Sequence, residues 1–319
     1  MKAPHLDKVL TAIAIGDAFG AGYEMIPRIQ IPEVFDFTGY RQNTKISTVP
    51  PGHYTDDTQM SLAIAELLVE GEGITRKNLA NRFVRNFKRD PVNGYARNFQ
   101  KFLSEVQSGE EFLEKIRPDS IKNGALMRSI PLGISESIPV VVKNAKTNSE
   151  VTHNTTIGFI SSAVTGLLAR YFFHGFFDGK NQAEVIERLS IQLLLHESDE
   201  AKVFSRYIES ISRIKNLENP EERTILFGEG NEDFGVRCHG MYTFGAILYI
   251  VMNYHDNITE ALKQSIFLGG DTDSVAISIG IIASRTGIDD LPKFLLRDLQ
   301  GGPYGKDYIA NLGRKFAQL

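Results

Sequence analysis

Val9-Leu10-Thr11-Ala12-Ile13-Ala14-Ile15-Gly16-Asp17-Ala18 is apolar on nearly every face when wound as a helix. A helix without a polar side belongs in the interior of a fold, so this stretch predicts a buried helix around which others pack. Residues 59–70 place Met60, Ala63, Ile64, Leu67 and Leu68 at helical spacing, and Gly71 and Gly73 stop the pattern. Residues 78–88 put Leu79, Phe83 and Phe87 on one stripe. Residues 156–173 mix Ser161, Ser162, Ala163 and Gly166 with Leu167, Leu168 and Phe172, as expected where helices approach closely. The pattern continues over 182–195, 201–214, 241–252, 260–268 (with Thr259 as N-cap), 274–283 and 291–298. The β-branched run Ile138–Val142 contains Pro139, which argues against a central strand. Strands and helices do not alternate as in an α/β sheet. The expectation is an all-α protein with one domain over residues 1–319.

Composition agrees with a globular chain. Of 319 residues 42% are hydrophobic and 23% charged, which sets aside disordered and low-complexity classes. The formal net charge of −4 gives no general attraction to nucleic acid or to an anionic membrane. Cys238 is the single cysteine, so neither an internal disulfide nor a cysteine metal knuckle is available. Residues 245–252 and 275–283, the longest apolar runs, fall short of the roughly 18 residues of a membrane span. Lys8 followed by residues 9–15 faintly resembles a signal-peptide core, but Asp7 precedes that run and Asp17 and Glu24 follow it. A cytoplasmic protein is the expectation.

Two acidic clusters stand at helix starts: Thr55-Asp56-Asp57-Thr58 and Gly269-Gly270-Asp271-Thr272-Asp273-Ser274. Either alone is explained by capping and the helix dipole. Capping needs one oxygen, however, and together the clusters offer the carboxylates of Asp56, Asp57, Asp271 and Asp273 beside strongly apolar helices. If these meet, like charges within about 4–6 Å must protonate or take up a cation. An all-oxygen donor set, extended by the Thr55 and Ser274 hydroxyls, suits Mg²⁺ or Mn²⁺ rather than Zn²⁺. That the clusters meet does not follow from spacing.

Other features are weaker. Gly16-Asp17-Ala18-Phe19-Gly20-Ala21-Gly22-Tyr23-Glu24 reads as a glycine-rich helix terminus with Asp17 as a local hydrogen-bond partner and Glu24 at the mouth of a long loop, 29–54. Asn123-Gly124-Ala125-Leu126-Met127-Arg128 reads as a turn followed by a helix start, a place for a diphosphate. His153, in Val151-Thr152-His153-Asn154, precedes the small-residue helix; the other histidines and Cys238 read as structural.

Taken in order, Gly16–Glu24, Thr55–Thr58, Asn123–Arg128, Thr152-His153 and Gly269–Ser274 resemble the ADP-ribosylglycohydrolase family, of the dinitrogenase-reductase-activating type, over residues 9–298. The resemblance implies an orthogonal multi-helix bundle whose central cleft holds two Mg²⁺ or Mn²⁺ ions. It implies hydrolysis of the bond joining ADP-ribose to a protein acceptor, often arginine and in some branches serine. Carried onto this chain, Thr55, Asp56, Asp57, Asp271, Asp273 and Ser274 would hold the metals, and Glu24, Asp57 and Asp271 would serve catalysis. Asn123, Gly124 and Ala125 would line the diphosphate and His153 would contact ADP-ribose. The chain departs from the family pattern at Ser274 (usually Thr), at Asn154-Thr155-Thr156 after the histidine, and at Ser284-Arg285. The implied partner is an ADP-ribosylated protein, with no nucleic acid or membrane and a monomer favoured. A non-catalytic ADP-ribose or toxin binder on the same fold is the alternative, and an all-α metal phosphohydrolase, which would use His-Asp dyads, a more distant one.

Overall fold

The computed structural model describes residues 2–43 and 48–319. Residues 44–47 of the expected 29–54 loop lie outside the described residues. The rest of that loop is not structureless, since Arg28–Gln30 forms a 3₁₀ turn and Ile31–Val34 a helical turn.

Val9–Ala21 is a helix whose every residue is buried, as its uniform apolarity predicts. Asp56–Val69, Thr272–Ala276, Ile279–Thr286 and Lys306–Phe316 pack around it. No sheet forms among the described residues; Ile26 with Gly270, Val236 with Gly270 and Asp119 with His153 make isolated bridges. The fold is all-α. Each fully buried aliphatic or aromatic side chain in this core is worth about 1.5–3 kcal/mol.

Thr156–Phe173 is a helix with the expected bounds. By length and composition it alone among the described helices could span a bilayer, although no apolar run of that length was expected, and 83% of it is buried within the fold. Its small residues permit close approach: a Cβ on Gly133 would lie 2.7 Å from Ala169 Cβ, and one on Gly166 would lie 3.0 Å from Val141 Cγ1. Val141 belongs to the helix Ile138–Thr152, where the β-branched run sits. Pro139 occupies the first turn, where a missing N–H costs nothing, and Val141, the buried valine of the run, packs against Thr156–Phe173.

Three local expectations are corrected. Residues 274–283 are not one helix: Thr272–Ala276 and Ile279–Thr286 are joined by a tight turn. There the Val9–Ala21 helix crosses so closely that a Cβ on Gly16 would sit 2.2 Å from the Ala276 carbonyl oxygen. Asn257, not Thr259, caps Ile258–Phe267 by accepting from Glu260 N, while Thr259 Oγ1 donates to the Asp290 carbonyl. No helix starts at Asn123; its segment turns through Arg128 into the 3₁₀ stretch Ile130–Ile134.

Candidate active site

The site is built around Gly269 and Gly270, both left-handed at φ 67° and 71°. Gly270 N donates to the Ile26 carbonyl at 3.0 Å, and the Gly270 carbonyl accepts from Met25 N at 2.7 Å. On the other side Val236 N donates to the Gly269 carbonyl at 3.2 Å, and Asp271 N to the Val236 carbonyl at 3.0 Å. A Cβ on Gly270 would fall 2.1 Å from that Val236 oxygen. The turn is thus clamped between two strands of chain, one carrying Glu24 and the other Cys238. Thr272 Oγ1 then donates to the Gly20 carbonyl at 2.8 Å, anchoring Asp271 and Asp273 against the end of the Val9–Ala21 helix.

The other cluster is held by a residue read only as a local partner. Asp17, fully buried, accepts from Thr55 N and Thr58 N at 2.9 Å each and from Thr55 Oγ1 at 2.7 Å. Asp17 therefore caps Asp56–Val69 from a neighbouring helix, satisfying N–H groups that the chain's own N-cap Thr55 leaves open. Donation of the Thr55 proton to Asp17 leaves the hydroxyl oxygen's lone pairs available to a cation.

The two clusters do meet: Asp56 and Asp57 line one cavity with Asp271, Asp273 and Ser274, and the Ser274 hydroxyl hydrogen-bonds Asp57. Carboxylate oxygens of Glu24, Asp271 and Asp273 lie within 4.8 Å of one another. Asp57 Oδ1 is buried with no hydrogen-bond partner. Burial, joined by repulsion from Asp271, Asp56 and Asp17, pushes Glu24 up to about 8. Burial and then Asp17 push Asp56 up to about 7. Asp57 and Asp273 are raised for the same reasons, burial first and neighbouring carboxylates after, with the Ser274 hydroxyl pulling Asp57 the other way. Carboxylates so crowded, with an orphaned oxygen among them, fit a hard divalent cation.

They open into a cavity of about 600 Å³. Glu24, Asp56, Asp57, Asp271, Asp273 and Ser274 line it, as do Asn123, Gly124 and His153. Thr55 and Ala125 are fully buried and do not line it; the Ala125 carbonyl accepts from Ser129 Oγ at 2.7 Å and Asn148 Nδ2 at 2.9 Å. Asn123 is turned toward the carboxylates, its Nδ2 donating to Asp271 Oδ2 at 2.7 Å. Burial, reinforced by Arg128 and Lys122, pushes His153 down to about 3, so its imidazole is neutral at pH 7. Its Nδ1 pairs with Thr152 Oγ1 at 2.8 Å, and Thr152 Oγ1 also accepts from Arg128 Nη2 at 2.7 Å. Arg128 is itself buried, held by Asn148 and stacked 4.7 Å over Phe83.

Sequence reading missed Asp17 as a cap, Cys238, and the Phe99, Phe102, Lys115 and Arg117 wall of the cavity. None shares a short motif with the acidic clusters. His255-Asp256, the chain's His-Asp pair, is not in the cavity; His255 packs edge-on against Phe177 at 5.1 Å.

The ADP-ribosylglycohydrolase sequence profile matches residues 1–319. The chain is similar to ADP-ribosylhydrolase ARH3 of Gallus gallus, 25% identical over 309 residues covering 86% of this chain and 83% of that protein. It is also 25% identical to ADP-ribosylarginine hydrolase Tri1 of Serratia proteamaculans over 308 residues, 92% of this chain and 75% of that one. A solved ADP-ribosylglycohydrolase-related protein complex shares the fold, with a TM-score of 0.67, 23% identity and coverage of 98% and 97%. The chain belongs to the ADP-ribosylglycohydrolase family.

Proposed function

We propose that the chain is a metal-dependent hydrolase that removes ADP-ribose from modified protein side chains by cleaving the ribose C1″ glycosidic bond, with ADP-ribosyl-arginine the first acceptor and O-linked ADP-ribosyl-serine the second. One observation carries the reading: Glu24, Asp271 and Asp273 converge within 4.8 Å at a cavity that Asp57, from the other end of the chain, also lines. Family membership and the name of the Serratia relative support the substrate class.

Asp56, Asp57, Asp271 and Asp273, with the Thr55 and Ser274 hydroxyls, would hold two Mg²⁺ or Mn²⁺ ions. Such ions supply a template for ribose hydroxyls and a more acidic water. The chain's own groups do the rest. Cleavage builds positive charge at the anomeric carbon while the leaving group gains a proton. Glu24 and Asp57 hold or accept the proton, a contribution of roughly 10²–10⁴-fold. Neutral His153 offers a hydrogen bond to ADP-ribose without an opposing charge, and Gly124 brings backbone close to the diphosphate. Fixing the substrate between these walls is worth about 7–11 kcal/mol in favourable cases. A cytoplasmic monomer of one domain belongs to the same proposal.

Incubation with ADP-ribosyl-arginine and ADP-ribosyl-serine peptides, read by chromatography of free ADP-ribose, tests this. Release is expected with Mg²⁺ or Mn²⁺ and is lost in Asp57→Asn and Asp271→Asn at unchanged helical content. Full activity in either variant defeats the assignment, and tight binding of ADP-ribose without turnover favours a binder.

A further inference from the structure

Asn123 and Cys238 have a task that neither motif nor family profile assigns. Asn123 Nδ2 donates to Asp271 Oδ2 at 2.7 Å, and Cys238 Sγ donates to Asn123 Oδ1 at 3.0 Å. The three side chains come from segments 115 and 148 residues apart, and the clamp of Val236 on Gly270 brings two of those segments together. Asn123 and Asp271 are each 3% exposed and Cys238 is half-buried, all three at the wall of the cavity.

The direction of the relay follows from chemistry. An ionised carboxylate only accepts, so the amide must present its NH₂ to Asp271 and its oxygen the other way. A flipped amide would set oxygen against oxygen. The thiol S–H opposite Oδ1 rewards the correct orientation; in the flipped one the amide N–H would face sulfur, which is only a weak acceptor. We propose that Cys238 and Asn123 are positioning residues: the thiol locks the Asn123 amide, and the amide fixes one oxygen of Asp271 so that the other faces the cation. Removal of such outer partners typically costs about 10–100-fold in metal affinity. The inference rests on the cation reading of the site but not on which acceptor is cleaved.

Titration of the full chain with Mn²⁺, followed by the loss of the free-ion electron paramagnetic resonance signal, measures this without turnover. Asn123→Ala is expected to weaken Mn²⁺ binding by about 10–100-fold. Cys238→Ala is expected to weaken it several-fold, while Cys238→Ser, which keeps a donor, stays within about 2-fold of wild type, less than any outer-partner loss. The cysteine pair decides the matter even if Asn123→Ala folds poorly, because a merely packing role would change the metal-free melting temperature and leave Mn²⁺ affinity alone. Wild-type affinity in Cys238→Ala, or equal loss in the alanine and serine variants, overturns the relay. A wild-type chain that takes up no Mn²⁺ sinks the cation reading as well, and wild-type binding without ADP-ribose release sinks the proposed activity and leaves the relay standing.

Discussion

Thr55 Oγ1 donates to Asp17 Oδ1 at 2.7 Å, so the first acidic cluster is fastened to the buried Val9–Ala21 helix before any cation is considered. Asp17→Ala strands three buried donors, two of them backbone N–H groups. Each buried group left unsatisfied costs about 1–3 kcal/mol. Denaturant unfolding of the metal-free protein should show a loss of at least about 2 kcal/mol. Wild-type stability would mean that the helix Asp56–Val69 is capped some other way.

Gly270 and Gly71 share a left-handed φ, 71° and 72°, in opposite surroundings. A Cβ on Gly71 meets nothing within 4 Å, whereas one on Gly270 strikes the Val236 carbonyl oxygen at 2.1 Å. Gly71→Ala should cost only the left-handed conformation, about 1–2 kcal/mol. Gly270→Ala should cost clearly more, because the clamp must open, and should weaken Mn²⁺ uptake as well. Equal melting temperatures for the two variants would remove the clamp from the account.

Stability of the metal-free protein should fall as pH rises. Glu24 is raised from 4.5 to about 8 and Asp56 from 3.8 to about 7. The folded state therefore binds more protons than the unfolded chain across that window, and unfolding free energy declines with pH between about 4 and 8. Saturating Mg²⁺ should reverse the trend at its upper end, since the ion replaces the protons, and the rise in melting temperature with Mg²⁺ should be larger at pH 8 than at pH 5.5. A melting temperature that climbs from pH 5.5 to 8 in chelator contradicts the crowding.

Much of this was legible because its signals are local. Residues 9–18 have no polar face, residues 156–173 carry their own small-residue stripe, and the two Asp-rich motifs sit directly before apolar runs. Helices with little apolar patterning escaped although their caps are in the sequence: Ser108 Oγ accepts from Glu111 N at the start of Gly109–Lys115, and Asn219 with Pro220 opens Pro220–Phe227. The 138–142 run, read as unfit for a central strand, is helical: Pro139 at a first helical turn is as natural as at a strand edge. Asp17, Asn123 and Cys238 were not legible in these roles. Their partners lie 38, 148 and 115 residues away, and only tertiary packing brings them together.

Carboxylates from the two ends of the chain line one cavity, and a single cation site is proposed to draw on both sets. Calorimetric titration of Mn²⁺ into wild type, Asp57→Asn and Asp273→Asn reads it directly. Heat of binding in the wild type, and a comparable collapse of affinity in both variants although they belong to different clusters, is the predicted result. No uptake by the wild type, or a loss confined to one of the two variants, would contradict it.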